Sequence, residues 1–249
     1  MITKRAHAVA HQFRHAPARA RFARDHPEVA DRIHRVRAER LTYLSADNLR
    51  DLATTVLAAD SLPGVILEAG TALGGSAVVL CAAKTPKRPL KLYDVFGMIP
   101  PPSDRDGADV HGRYAAISAG VSTGIKGDVY YGYHEDLLTE VEATFARYDL
   151  AAQTHHVEFV QGRYEDTMPG NIDFPVAVAH IDCDWYDSVM TCLEAITPSL
   201  VIGGTLVFDD YGTWSGCKDA VNQFFARPAN THRFEWIHNR TRLHIQRSR

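Results

Sequence analysis

Hydrophobic and polar positions along the chain alternate between two regimes. Short continuous apolar runs, VILEAG, LKLYDVF, HHVEFVQG, FPVAVAHID and GGTLVFDDYG, read as five strands. Between and after them, GGSAVVLCAAK, EDLLTEVEATFARYDL, SVMTCLEAITPSL and CKDAVNQFFAR carry the 3.6-residue period of helices, and FEWIHN and RLHIQR read as closing strands. Ahead of the first strand, residues 46–60 (ADNLRDLATTVLAAD) predict a helix stopped by the Pro63-Gly64 turn. Strands alternating with helices predict an α/β fold: a doubly wound, mainly parallel sheet with an antiparallel end. In such sheets ligands bind outside the carboxyl ends of the strands. Residues 103–134, rich in Gly, Asp and Tyr, show no clear period and read as a long lid or substrate-binding loop.

The N-terminal region differs from the rest. Val29, Ile33, Val36 and Leu41 fall at helical spacing and predict a docking or oligomerisation helix, from which a homo-oligomer is expected. We therefore divide the chain into a helical extension, residues 1–60, and a ligand-binding domain, residues 61–249. With 249 residues, 45% of them hydrophobic, the chain suffices for one sizeable core. A net charge of −3 gives no general support to nucleic-acid binding. Charge is uneven, however: residues 1–40 hold ten Lys/Arg against four Asp/Glu, which leaves an RNA-binding arm as a rival reading of the head alone. No stretch has the apolar core of a secretory signal or the length of a membrane span, and Cys81, Cys183, Cys192 and Cys217 form no CxxC pair. A reduced, cytoplasmic protein is the expectation.

Candidate chemistry lies at three strand ends. The turn Glu68-Ala69-Gly70-Thr71-Ala72-Leu73-Gly74-Gly75-Ser76 joins the first strand to its helix, where glycines let backbone and helix N–H groups approach a ligand. Ala72 occupies the middle glycine position of a dinucleotide fingerprint, so the turn suits a ligand with an amino group and a sugar better than a pyrophosphate. Asp94 ends the second strand, where a carboxylate can accept ribose hydroxyls. Asp182 ends the fourth strand and Asp209-Asp210 the fifth, and three close carboxylates need a counter-ion; an all-oxygen set suits Mg²⁺. The Asp182-Cys183-Asp184 D-x-D also fits a metal-dependent glycosyltransferase that binds a nucleotide sugar.

The segments LEAGTALGGSA, LYDVFGMIPPP, FVQGRYEDTMP and HIDCDWYDSVMTCLEAITPSLVIGGTLVFDDYG keep the order and spacing of the macrocin O-methyltransferase family, which this chain resembles from about Leu41 to Phe225. The resemblance implies a Rossmann-like class I methyltransferase, dependent on S-adenosylmethionine and Mg²⁺, that methylates a deoxysugar hydroxyl on a natural-product glycoside or nucleotide sugar. By position it implies that Asp182, Asp209 and Asp210 hold the metal and that Asp182 is the general base. Glu68, Gly70, Thr71, Gly74, Gly75 and Ser76 would then face the methionine end of the donor, Asp94 its ribose, and Gly162 and Tyr164 its adenine. The segment from Thr42 to Ser45 would cover the substrate. Departures from the family pattern are His180, Cys183, Trp185 and Arg163. His180, one step deeper on the face of Asp182, is the rival base or a hydrogen-bonded support. Tyr130, Tyr131 and Tyr133, with Trp185 and Trp214, could offer flat apolar surface to a sugar or pack a lid.

Overall fold

The computed structural model of the chain describes residues 17–239 and 242–249. Fourteen principal elements follow one another: α1 (Pro27–Ala38), α2 (Ala46–Ala58), β1 (Val65–Ala69), α3 (Gly75–Ala83), β2 (Leu90–Asp94), α4 (Ala108–Ser118), α5 (Leu137–Arg147), β3 (Val157–Gln161), β4 (Val176–Ile181), α6 (Tyr186–Ile196), β5 (Leu200–Phe208), α7 (Ser215–Phe225), β6 (Phe234–Asn239) and β7 (Arg242–Arg247). Residues 17–25 are also helical. The strands form one seven-stranded sheet in the order β3-β2-β1-β4-β5-β7-β6. β1 to β5 are parallel, while β7 runs antiparallel to β5 and to β6. The expected doubly wound sheet with an antiparallel end is what the chain forms.

Every residue of β1 and β4 is buried, as continuous apolar runs demand when helices cover both faces. Neighbouring residues of β1 feed opposite layers. Ile66 joins the core under α1, α2, α3 and α5, whereas Val65 and Leu67 join the core under α6 and α7. Helix α3 is apolar on all sides because it is covered on all sides, lying between the sheet and the N-terminal helices. The Val29, Ile33, Val36 stripe of α1 is spent there: Val36 is 0% exposed, packed within its own chain. The stripe therefore offers no interface, which removes the observation from which an oligomer was expected. Helix α2 starts on a cap at Ser45, whose Oγ accepts from the Asn48 amide at 3.1 Å.

Sheet order reverses between β1 and β4, so their carboxyl ends open a crevice. Gly70, with φ +97°, makes this closeness possible: a Cβ there would lie 1.8 Å from the Asp182 carbonyl oxygen. The region expected to be one long loop contains α4, an antiparallel bridge between Thr123 and Val129, and single turns at Ile125–Gly127 and Tyr131–Tyr133. Helix α4 buries only Val110 and Ile117, too few positions to set a period. Side chains hold it in place instead. Asp109 takes the Ser215 amide at the start of α7 (2.9 Å), and Asp106 takes the Tyr186 amide at the start of α6 (2.8 Å).

Candidate active site

One cleft of about 330 Å³ opens over the carboxyl ends of the central strands. The β1–α3 turn forms one wall, from Gly70 to Leu73 and at Ser76; Asp94 lies beside it, with Arg163 and Tyr164 beyond. Asp182, Asp184, Asp209 and Asp210 line the same cleft, as do Trp185 and Trp214, and Asp182 adjoins the turn, its amide donating to the Ala69 carbonyl (2.8 Å). Leu41 to Leu44 border the same space, which is the segment expected to cover a substrate.

The turn owes its shape to Asp94. Its Oδ2 accepts from the amides of Thr71 (2.8 Å) and Ala72 (2.9 Å), and its Oδ1 from Phe96 (2.7 Å). Burial raises the Asp94 pKa, and those three amides act against the rise. The carboxylate expected to meet a ribose thus also anchors the backbone around it. Ala72, at φ +44°, lies in the left-handed region, and Phe96 and Asp184 are likewise at positive φ. Strained residues grouped around a crevice accord with a functional site.

Some predicted residues lie off the wall. Glu68 is fully buried beneath the turn and pairs with His180 across β1 and β4, Oε1 to Nδ1 at 2.9 Å. Gly74 starts α3 at φ +84°, and Gly75 donates its amide to the Leu41 carbonyl (2.9 Å), so both shape the packing around the turn. A Cβ at Gly75 would lie 2.4 Å from that carbonyl oxygen. Gly162, at φ +148°, precedes the wall residues Arg163 and Tyr164. Tyr130 and Tyr131 border the cleft with Trp185 and Trp214, whose rings meet edge to face at 5.9 Å. Tyr133 instead links residues 117, 122 and 133, its hydroxyl donating to the Ile117 carbonyl (2.7 Å) and accepting from the Ser122 amide (3.2 Å).

Asp184 joins the acids expected to converge here. Asp182, Asp184 and Asp210 each offer an oxygen within 4.8 Å of the others. Asp209 borders the cleft, and its Oδ1 accepts from Arg242 Nε at 2.5 Å. Asp184 was legible only as the second acid of a D-x-D, and its place beside Asp210 depends on the bend after β4. Burial, followed by repulsion from Asp209, pushes the Asp182 pKa up to about 7, while His180 draws it down. Burial and neighbouring carboxylates raise Asp210 well above the ordinary range, and burial raises Asp184. Asp210 Oδ2 is buried without a partner among the described residues. Converging hard oxygens, one unpartnered and all reluctant to ionise together, fit a divalent cation such as Mg²⁺; zinc would want nitrogen or sulfur.

Among the described residues no helix is long and apolar enough to cross a membrane. A model of the macrocin-O-methyltransferase (TylF) family matches residues 1–242. The chain is 34% identical over 210 residues to the 8-demethyl-8-(2,3-dimethoxy-alpha-L-rhamnosyl)-tetracenomycin-C 4'-O-methyltransferase of Streptomyces olivaceus, covering 83% of this chain and 72% of that protein. It is 29% identical over 194 residues to the mycinamicin III 3''-O-methyltransferase of Micromonospora griseorubida, covering 74% and 69%. Among solved structures, the O-methyltransferase NovP superposes with a TM-score of 0.68 at 25% identity, over 84% of this chain and 82% of that one.

Proposed function

The chain belongs to the macrocin-O-methyltransferase family, and from that premise we propose that it transfers the methyl group of S-adenosylmethionine to a deoxysugar hydroxyl on a natural-product glycoside or nucleotide sugar, with Mg²⁺. Relatives that methylate rhamnosylated tetracenomycin and mycinamicin support a sugar acceptor in an antibiotic pathway. The observation that carries the reading is the cleft that an Asp94-anchored glycine turn shares with a group of carboxylates. A donor and a hydroxyl need to be held side by side, and a glycine turn adjoining a carboxylate group in one cleft supports that. A methyltransferase family leaves the glycosyltransferase alternative without support.

The turn from Gly70 to Leu73 and Ser76, with Asp94 and Tyr164, would line the donor, while Tyr130, Tyr131, Trp185 and Trp214 would face the acceptor. Asp182 and Asp210, together with Asp184 or Asp209, would hold the cation. A bound Mg²⁺ would lower the pKa of a coordinated hydroxyl and fix its direction. A carboxylate of the group would accept the hydroxyl proton, and Asp182 is the residue we assign to that task. The freed oxygen pair then forms the O–CH₃ bond as the C–S bond breaks and adenosylhomocysteine leaves. His180 serves from below: its Nδ1 is committed to Glu68, and it is 0% exposed, so a supporting role fits better than proton transfer from an acceptor.

The test combines mass spectrometry of products from deoxysugar glycosides and nucleotide sugars with the variants Asp182→Asn and Asp184→Asn. Loss of the base should reduce kcat by roughly 10²–10⁴ while adenosylhomocysteine still binds. Turnover close to wild type in both variants at saturating Mg²⁺ would dismiss a carboxylate base.

A further inference from the structure

Asp209 is joined to a residue that no part of the proposed chemistry uses. Arg242 opens β7, and its side chain is 0% exposed. Its Nε donates to Asp209 Oδ1 at 2.5 Å, and its Nη1 donates to the carbonyl of Asn48 at 3.1 Å. Nη2 is buried with no partner among the described residues. The guanidinium therefore bridges the carboxylate group and helix α2. Two residues further along β7, His244 Nε2 meets Asp51 Oδ2 at 2.8 Å, one helical turn beyond Asn48. β7 thus grips α2 twice, and only the first grip reaches the cleft.

The segment just before α2 runs from Leu41 to Leu44 along that cleft. Its position is fixed at one end by the Leu41 carbonyl on the Gly75 amide and at the other by the Ser45 cap of α2. Wall, helix and carboxylate are consequently linked through one buried fork.

We propose that Arg242 is a positioning residue for the cation site: it orients Asp209 for the bound metal and makes that orientation depend on the docking of α2. A carboxylate beside a metal keeps its direction through hydrogen bonds from outside the coordination sphere, and loss of such a partner typically weakens metal affinity about 10–100-fold. Arginine suits the task because its planar fork reaches two acceptors in fixed directions, whereas a lysine ammonium carries the same charge without that geometry. Burying a full cation here needs a reason, since the hairpin of β6 and β7 could pack on α2 with apolar side chains alone. The inference rests on the proposed Mg²⁺ dependence but is separable from it.

The experiment measures Mg²⁺ binding by calorimetry on the whole chain, without donor or acceptor, for the wild type and Arg242→Lys. Lys keeps the charge and loses the fork. A Mg²⁺ Kd weakened about tenfold or more, with adenosylhomocysteine affinity unchanged, is the expected result. A residue that only braces the fold would lower Tm and leave the Mg²⁺ Kd alone, so an unaltered Kd in folded Arg242→Lys overturns the proposal. Absence of Mg²⁺ binding by the wild type would instead sink the metal reading itself. If Arg242→Lys does not fold, Arg242→Gln takes its place: its shorter side chain cannot span Asp209 and the Asn48 carbonyl together, and an unaltered Mg²⁺ Kd in that folded variant likewise overturns the proposal. His244→Gln, which breaks only the second grip, should retain the wild-type Mg²⁺ Kd, and equal weakening in that variant would show that any loosening of α2 suffices and that Arg242 has no special part.

Discussion

At the scale of single residues, two kinds of constraint meet at the crevice: space and charge. Gly70 embodies the first. Its φ of +97° and the 1.8 Å approach of a would-be Cβ to the Asp182 carbonyl mean that alanine must push β1 and β4 apart. Gly70→Ala should cost more than about 2 kcal/mol, from backbone strain and displacement together, and lower Tm by several degrees in calorimetry. A wild-type Tm would contradict the packing described. Charge was partly legible from the sequence, because an acid that ends a buried apolar run is conspicuous. Asp182, Asp209 and Asp210 were found that way, and all three border the cleft. What escaped was how they are paired. The Arg242 guanidinium reaches Asp209 across an antiparallel strand pair, and Asp184 joins Asp182 and Asp210 through a left-handed bend at φ +38°. Neither follows from spacing along a strand.

At the scale of elements, the parallel strands and the helices that cover them were readable because each has a strong period or a continuous apolar run. Helix α4 was not readable, since its hold on the protein is polar and comes through Asp106 and Asp109 to the starts of α6 and α7. Asp106 is the stronger test of that design, as it accepts from both the Tyr186 amide (2.8 Å) and the Ser103 amide (3.0 Å). Asp106→Ala leaves a helix N-terminus and a buried loop unpaired, an expected loss of about 1–2 kcal/mol in thermal unfolding. Because the same loop carries Ile99 and Pro100 to the cleft wall, KM for the acceptor should rise while KM for the donor holds. Equal changes in both would argue against a separate acceptor wall. The amphipathic stripe of α1 was also legible as a period, but periodicity cannot say whose core a stripe enters; here it is the chain's own.

At the scale of the whole molecule, the carboxylate group sets how stability responds to pH. Asp182 is pushed up to about 7 and Asp184 and Asp210 are raised, chiefly by burial. In the metal-free protein the folded state therefore binds protons more tightly than the unfolded chain. The stabilisation is complete below the ordinary carboxylate range and is lost as pH rises towards the raised values. Without divalent cation, Tm should fall between about pH 5 and pH 8, and added Mg²⁺ should restore more at the upper end, where it displaces fewer protons. Asp210→Asn should flatten the metal-free profile. A profile that rises over this interval in the presence of chelator would mean that the group is ionised and compensated some other way.

The bridge between Asp209 and Arg242 also bears on biosynthesis of the polypeptide. A nascent chain that has been translated through Asp210 already possesses Asp182, Asp184, Asp209 and Asp210, yet lacks the guanidinium that pairs with Asp209. Translation has to continue through Arg242, with β7 inserted beside β5, before that acid gains its buried counter-charge. Pairing of β7 with β5 is thus the step that brings Asp209 its buried partner.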